Sequence, residues 1–232
     1  MLQILSYDVF GMDRAVKASG LPMSVDSSKI TYSDKRANVL GSAKAGSGHD
    51  CFLKGIIVEA TVKYPLYWTK QFQRYHFADI VSSQSTMHRV TKFNIGEQCN
   101  EWVDKNIIRI IQKKVDMYNE MEKNNADVIY TVPVIVGDYL YCSTIYEDAI
   151  RMSETEYVDG DINTITKKDL FMQIISCLPS GFEMEMEIVT NYLQLKTILE
   201  QRKYHKLPDW QVFCNWIESL PNFKEFTTKE VK

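Results

Sequence analysis

The chain has 232 residues, of which 45% are hydrophobic and 25% are charged, so it is long enough to bury a sizeable core and has the composition of a soluble globular protein. The formal net charge of −3 at pH 7 and the pI of about 5.9 argue against a basic surface that binds nucleic acid. A nucleotide, which needs only a few local cations, is not excluded as a ligand.

The cysteines and the apolar runs indicate where the protein resides. The five cysteines are dispersed without a C-x-x-C pair, which is typical of reduced thiols rather than of a disulfide framework. We expect no metal site, because neither the cysteines nor the four histidines have ligand spacing. The first residues lack the basic lead-in of a secretory signal, and no apolar run is long enough to cross a membrane. We therefore expect a cytoplasmic protein without membrane contact.

The first predicted elements in chain order are a strand, a loop-rich segment, a second strand and a helix. Apolar residues predict a strand over 2–9. The next forty or so residues are rich in Ser, Gly, Asp and Lys, which predicts loops with room for a helix or a mobile flap. The β-branched run over 55–63 predicts a strand, and Pro65 suits the first turn of the helix that follows, because its missing N–H would have no intrahelical partner there.

The later elements alternate between helices and strands. Apolar residues at helical spacing predict a long amphipathic helix over 99–121, and a β-branched stretch over 128–146 predicts short strands or irregular buried segments. Alternation of Met or Ile with Glu over 183–189 predicts a half-exposed strand whose glutamate face is solvated or lies at an interface. Further helices are predicted over 167–177, 191–204 and 209–219. The pattern indicates one α/β domain with a mixed sheet and long helices.

Three ordered sequence blocks carry a family resemblance. The first contains Gly48-His49, a strand, Pro65 and the motif Gln71-x-x-Arg74-Tyr75-His76. The second is SSQSTMHR over 82–89, which fits after an insertion of about three residues behind Asp79. The third is LPSGFEMEMEIVTNYLQLKTILEQR over 178–202. These blocks resemble the motifs of the flavin-dependent thymidylate synthases, which implies the fold of that family as a single domain over residues 1–232.

The resemblance also implies an activity. Enzymes of this family are flavoproteins of nucleotide biosynthesis, in which FAD mediates methylation of dUMP to dTMP with methylene-tetrahydrofolate as the one-carbon donor and NADPH as the reductant. The flavin carries the chemistry, so no catalytic side chain is implied. The family assembles as a homotetramer with flavin sites at subunit junctions, and we expect the same of this chain.

The resemblance assigns six residues to the flavin. They are His49, Cys51, Arg74, Tyr75, His76 and Asn191. Arg74 suits a pyrophosphate, because a guanidinium group binds phosphate oxygens through paired hydrogen bonds. Alternatives are open for three of the six: Arg74 and His49 as ordinary surface residues, and Asn191 as the N-cap of the helix that follows it.

A second set of residues is assigned by the resemblance to the nucleotide pocket. This set consists of Gln71, Gln84, Ser85, Arg89 and Arg202. Gln71 lies one predicted helical turn before Arg74, which would place both side chains on one helix face. Arg89 and Arg202 stand where the family has arginines that contact the phosphate and the base.

Several family positions are changed in this chain. The family motif Arg-His-Arg is Arg74-Tyr75-His76 here, and other family residues are replaced by Ser85, Met87, Ile175, Leu193 and Thr197. Loss of an arginine and of a hydroxyl favours a related flavin enzyme that acts on another pyrimidine nucleotide. The altered second block favours a descendant that binds nucleotides or is structural without being catalytic. Both alternatives stand beside thymidylate synthesis.

Overall fold

A computed structural model describes residues 1–136, 139–145 and 163–229, and the side chains of 1–128 and 165–229. The backbone forms two compact units, one of Met1–Gln84 with Glu183–Lys232 and one of Ser85–Phe182. The single-domain expectation stays a prediction. No helix among the described residues is long and apolar enough to span a membrane.

The secondary structure of the described residues is as follows. The strands are β1 Gln3–Phe10, β2 Ile57–Pro65, β3 Asp79–Ser83, β4 Val128–Val136, β5 Tyr139–Ile145, β6 Asn163–Thr166 and β7 Glu183–Asn191. The α-helices are α1 Met12–Ala18, α2 Asp34–Gly41, α3 Leu66–Phe72, α4 Thr86–Arg89, α5 Ile95–Gln98, α6 Lys105–Lys123, α7 Lys167–Cys177, α8 Tyr192–Arg202, α9 Pro208–Ser219 and α10 Phe223–Thr227. Short 3₁₀ helices cover Leu21–Met23, Ser27–Lys29, Cys51–Gly55 and Val90–Lys92.

The first unit is built on a four-stranded sheet in the order β1-β2-β7-β3. The α/β fold class is confirmed, and the strands predicted over 2–9 and 55–63 are β1 and β2. The expectation of a mixed sheet is wrong, because every pairing in this sheet is antiparallel. The residue pattern marks a strand but carries no information about the direction of its neighbour. Here β2 and β3 lie on either side of β7, and both run opposite to it.

The strand β7 follows its alternating sequence except at its first residue. Met184, Met186 and Ile188 are buried, as expected, but Glu183 is also buried, at 4% exposure. On the glutamate face, Glu187 accepts a hydrogen bond from the Thr61 hydroxyl at 2.7 Å. Glu185 and Glu187 are half-buried, which agrees with the half-exposed strand that was predicted, whereas Glu183 is buried beside Lys63 of β2.

An aromatic cluster forms the core between α3 and α9. The rings of Trp68 and Phe72 stack at 4.7 Å between centroids, and Trp210 and Phe213 of α9 lie 4.9 and 5.3 Å from Trp68. All four side chains are fully buried. Burial of each such ring contributes about 2–3 kcal/mol, so this cluster fixes α9 against α3.

The second unit contains the sheet β5-β4-β6 and the long helix α6. The helix begins at Lys105 rather than at Cys99, because the Asp104 side chain caps it by accepting a hydrogen bond from the Asn106 N–H. The buried face of α6 carries Ile111, Val115 and Met121. The helix predicted over 167–177 is confirmed as α7 with both ends as expected.

Candidate functional site

Three chain segments meet at one end of the four-stranded sheet. The first residue of β2, Ile57, pairs with the last residue of β7, Asn191. The first residue of β3, Asp79, pairs with Val189. The turns that enter β2 and β3 therefore lie beside the end of β7. These three segments carry all six residues that the sequence assigned to a flavin.

The side chain of Asn191 caps α8, as the structural alternative predicted. Its Oδ1 accepts a hydrogen bond from the Gln194 N–H at 2.9 Å. Asn191 also borders a cavity of about 240 Å³. The lining residues are Lys54, Phe77, Asn191, Leu193 and Gln194. Capping by Oδ1 leaves the amide NH₂ group as the donor that Asn191 can present to a ligand.

The turn before β3 holds the motif Arg74-Tyr75-His76. The helix α3 ends at Phe72, so the prediction that Gln71 and Arg74 share a helix face is wrong. The turn is attached to β7 by the Thr190 hydroxyl, which donates to the Phe77 carbonyl at 2.8 Å. Arg74 and His76 are exposed, while Tyr75 is half-buried.

The turn before β2 presents His49 and Cys51. Both residues are exposed, and Asp50 between them is buried at 1% exposure. Gly48 has a φ of 82°, in the left-handed region that glycine adopts without strain. The carboxylate of Asp50 binds the Lys196 ammonium at 2.8 Å. Because Asp50 points inward, its two neighbours point toward solvent.

The structure groups Arg202 with Tyr75, Gln71 and Trp210. Arg202 donates from Nε to the Tyr75 hydroxyl at 2.8 Å and from Nη1 to Gln71 Oε1 at 3.3 Å. Its guanidinium carbon lies 4.7 Å from the centre of the Trp210 ring, a cation–π distance. Tyr75, assigned from the sequence to the flavin, therefore contacts a residue assigned to the nucleotide. Arg202 and Asn191 stand at opposite ends of α8, about 16 Å apart at roughly 1.5 Å per residue.

The orientation of the Gln71 amide is fixed by two donors. Its Oε1 accepts hydrogen bonds from Trp210 Nε1 at 2.9 Å and from Arg202 Nη1 at 3.3 Å. Its amide nitrogen is consequently the group that faces away from these partners. A nucleotide beside Gln71 would meet a hydrogen-bond donor.

His205 is the titratable neighbour of this cluster. Its ring lies 6.2 Å from that of Trp210, and its Nδ1 accepts a hydrogen bond from the Leu207 N–H. Partial burial lowers the pKa of His205, and the charge of Arg202 lowers it further. The imidazole is therefore neutral at pH 7 and adds no positive charge to the site.

The remaining residues assigned to the nucleotide lie elsewhere in the two units. Gln84 extends the edge of β3, where its Oε1 accepts a hydrogen bond from the Glu185 N–H at 3.0 Å. Ser85 and Arg89 belong to the second unit, with Ser85 at the start of α4 and Arg89 exposed at its end. Their assignment to a nucleotide stays a prediction.

Two features of this region were not predicted from the sequence. Lys54 and Phe77 line the cavity, but isolated residues of these types carry no signal in a sequence. The pairing of Asp50 with Lys196 joins residues 146 positions apart, so spacing could not show it.

Comparison with known proteins shows the fold. No family model and no curated protein matches the sequence. Among solved structures, flavin-dependent thymidylate synthase ThyX from Helicobacter pylori complexed with FAD and dUMP is similar with a TM-score of 0.56 and 10% identity, over 97% of this chain and 96% of that chain. A structure of Thymidylate Synthase X (ThyX) from Helicobacter pylori with FAD and dUMP gives a TM-score of 0.58 and 11% identity, over 97% and 95%. The chain thus has the fold seen in flavin-dependent thymidylate synthases.

Proposed function

We propose that the chain is an FAD-dependent enzyme that methylates dUMP to dTMP, with methylene-tetrahydrofolate as the one-carbon donor and NADPH as the reductant. The observation that carries the proposal is that the three chain segments bearing the predicted flavin residues meet at one end of the sheet. The likeness in fold to structures that hold FAD and dUMP supports it. A cytoplasmic homotetramer is part of the same proposal.

The residues at this end of the sheet suit FAD in their chemistry. Lys54, Arg74 and His76 are exposed there, and such groups bind a pyrophosphate. The Asn191 side-chain oxygen already accepts a hydrogen bond from the Gln194 N–H as the N-cap of α8. Its amide NH₂ group would therefore donate to a flavin carbonyl. The cavity of about 240 Å³ is below the roughly 300–1,000 Å³ of complete ligand sites, so it would hold only part of the cofactor.

The side chains of this protein would orient the reactants. When bound, reduced flavin supplies the one-carbon transfer and redox chemistry, so no thiol or hydroxyl nucleophile is required. Cys214 is unsuited to that role, because burial raises the pKa of its thiol to about 11 and keeps it protonated.

Arg202 is the residue best placed to bind an anionic nucleotide. Two of its five N–H groups bind Tyr75 and Gln71, which hold the guanidinium group in place on the Trp210 ring. Its remaining N–H groups suit phosphate or base oxygens. Because Arg202 is only half-buried, a nucleotide can reach it from solvent.

A second candidate is a flavin enzyme that acts on a different pyrimidine nucleotide. The observation that favours it is Met87, which stands where the family has a serine and is 53% exposed. A methionine offers no hydroxyl donor to a substrate. A pocket that includes Met87 would therefore favour a substrate whose facing group needs no hydrogen-bond donor.

The test measures the flavin absorbance spectrum of the protein purified with FAD, and then the change in that spectrum on titration with dUMP. We expect bound flavin whose spectrum dUMP perturbs. Arg74→Ala should weaken FAD retention, and Arg202→Met should weaken dUMP binding about 10- to 100-fold through loss of charged hydrogen bonds. Lys203→Met, which removes an exposed cation next to Arg202, is the matched control and should leave both affinities unchanged.

Each outcome selects one function. A spectrum that dUMP perturbs, followed by turnover with methylene-tetrahydrofolate and NADPH, supports thymidylate synthesis. Bound flavin that responds to another pyrimidine nucleotide but not to dUMP selects the second candidate. Protein that retains no flavin would refute both enzymatic proposals.

A further inference from the structure

Lys196 is the only buried lysine among the described side chains, at 5% exposure. It lies in the middle of α8, and its ammonium group has three acceptors. Nζ donates to the carbonyl oxygens of Gly41 at 2.8 Å and Ala43 at 2.6 Å, and to Asp50 Oδ2 at 2.8 Å. Three acceptors satisfy the three N–H groups of an ammonium, so this group is fully bonded without water.

The three acceptors bracket one segment of the chain. Gly41 and Ala43 lie where the segment 42–50 leaves α2, and Asp50 lies where it enters the 3₁₀ helix Cys51–Gly55. Backbone hydrogen bonds of the segment among the described residues are local, such as Ser47 N–H to the Lys44 carbonyl. Lys196 therefore fastens both ends of the segment to α8, while glycines at positions 46 and 48 adopt positive φ between them.

The ion pair between Lys196 and Asp50 bears on the exposure of His49 and Cys51. Asp50 is drawn inward to Lys196, so the residues on either side of it are turned outward and exposed. A buried carboxylate that lost its lysine would seek water and rotate the turn. Lys196 is thus linked to the turn that carries His49 and Cys51 through Asp50.

We propose that Lys196 is a positioning residue that holds the His49–Cys51 turn in the conformation that binds FAD. This role rests on the proposed function, because His49 and Cys51 are the candidate flavin residues of that turn. Lys196 contributes through Asp50 and the two carbonyl groups and does not itself touch the cofactor.

The experiment separates positioning from stability. Lys196→Met alone leaves the buried Asp50 charge unpaired and should lower Tm strongly. The double variant Asp50→Asn/Lys196→Met removes both charges, and its Tm should return to within about 4 °C of the wild type. We expect this double variant to bind FAD about tenfold more weakly and to show faster amide hydrogen exchange over residues 42–51. Lys203→Met, on an exposed lysine that follows α8, should change none of these quantities.

The outcomes distinguish this inference from the proposed function. Unchanged FAD affinity and unchanged exchange in the double variant, with a wild type that binds FAD, would refute the role of Lys196 alone. A wild type that binds no FAD would refute the proposed cofactor and with it the role of Lys196. Weaker FAD binding at restored Tm is the result that a purely structural ion pair does not produce.

Discussion

His205 follows Arg202 by three residues, and its pKa reports the electrostatics of the candidate nucleotide site. Partial burial and the Arg202 charge lower that pKa below the ordinary value of 6.5. The unfolded chain therefore takes up a proton at a higher pH than the folded protein does. The contribution of His205 to the free energy of unfolding is complete above pH 6.5 and is lost as the pH falls from 6.5 through the folded pKa. We predict lower stability in that window.

The measurement is urea unfolding as a function of pH, with the His205 titration followed by NMR. His205→Asn, whose side-chain oxygen can still accept from the Leu207 N–H, should lack this part of the pH dependence. Arg202→Gln should raise the pKa of His205, because a neutral amide replaces the repelling charge. A His205 pKa that does not respond to Arg202→Gln would contradict the electrostatic contact.

Single residues were predictable where their role is local. The N-cap role of Asn191 follows from its place between a strand and a helix, and the structure confirms it. The contact of Tyr75 with Arg202 was not predictable, because it joins residues 127 positions apart. The same reason hides the pair of Lys196 and Asp50. The flavin and nucleotide roles of these side chains stay predictions.

At the scale of elements, the contact between α2 and α10 depends on a glycine. A Cβ atom on Gly41, the last residue of α2, would lie 2.3 Å from the backbone carbonyl oxygen of Phe226. Alanine favours helices by about 1 kcal/mol over glycine, but a clash with backbone cannot be relieved by a rotamer change. We predict that Gly41→Ala lowers the free energy of unfolding by about 1–3 kcal/mol, measured by urea denaturation.

A matched substitution separates this clash from helix propensity. Gly96 lies in the short helix α5, and a Cβ there would meet the Asn94 side chain at 3.3 Å and no backbone atom within 4 Å among its nearest neighbours. Gly96→Ala should leave stability nearly unchanged. Equal effects of the two substitutions would show that the close approach of α10 to Gly41 does not limit stability.

Elements were predicted best where their boundaries are set by neighbouring residues. The helix α7 agrees with its prediction because Thr166 caps its start and Pro179 follows its end. The helix α3 ends earlier than predicted, at Phe72, and Gln73 to His76 turn back toward the sheet. The burial of Glu183 on β7 was not predicted, because the position of a strand within a sheet is set by pairing partners distant in sequence.

At the scale of the whole molecule, three ordered sequence blocks were enough to predict the fold. The first and third blocks lie around strand ends and flanking helices of the four-stranded sheet, and the second, over 82–89, runs from the end of β3 into α4. The solved structures with this fold are only 10–11% identical to the chain over its length. The blocks do not determine whether strands pair in parallel or antiparallel, and the direction of pairing was predicted incorrectly.

The proposed homotetramer gives a prediction for the assembled protein. β1 is an edge strand of its sheet, and its Leu5, Tyr7 and Phe10 side chains are 47%, 43% and 48% exposed. An edge strand with exposed apolar side chains is typical of a surface at which chains associate. Light scattering after size exclusion should give about four times the chain mass of 26.9 kDa.

Tyr7→Lys should shift the mass toward smaller species, because burial of an unpaired ammonium opposes association. Tyr204→Lys, at a tyrosine that is 90% exposed beyond α8, is the control and should retain the tetramer. A monomeric wild type would refute the assembly, and a tetrameric Tyr7→Lys variant would exclude β1 from the interface.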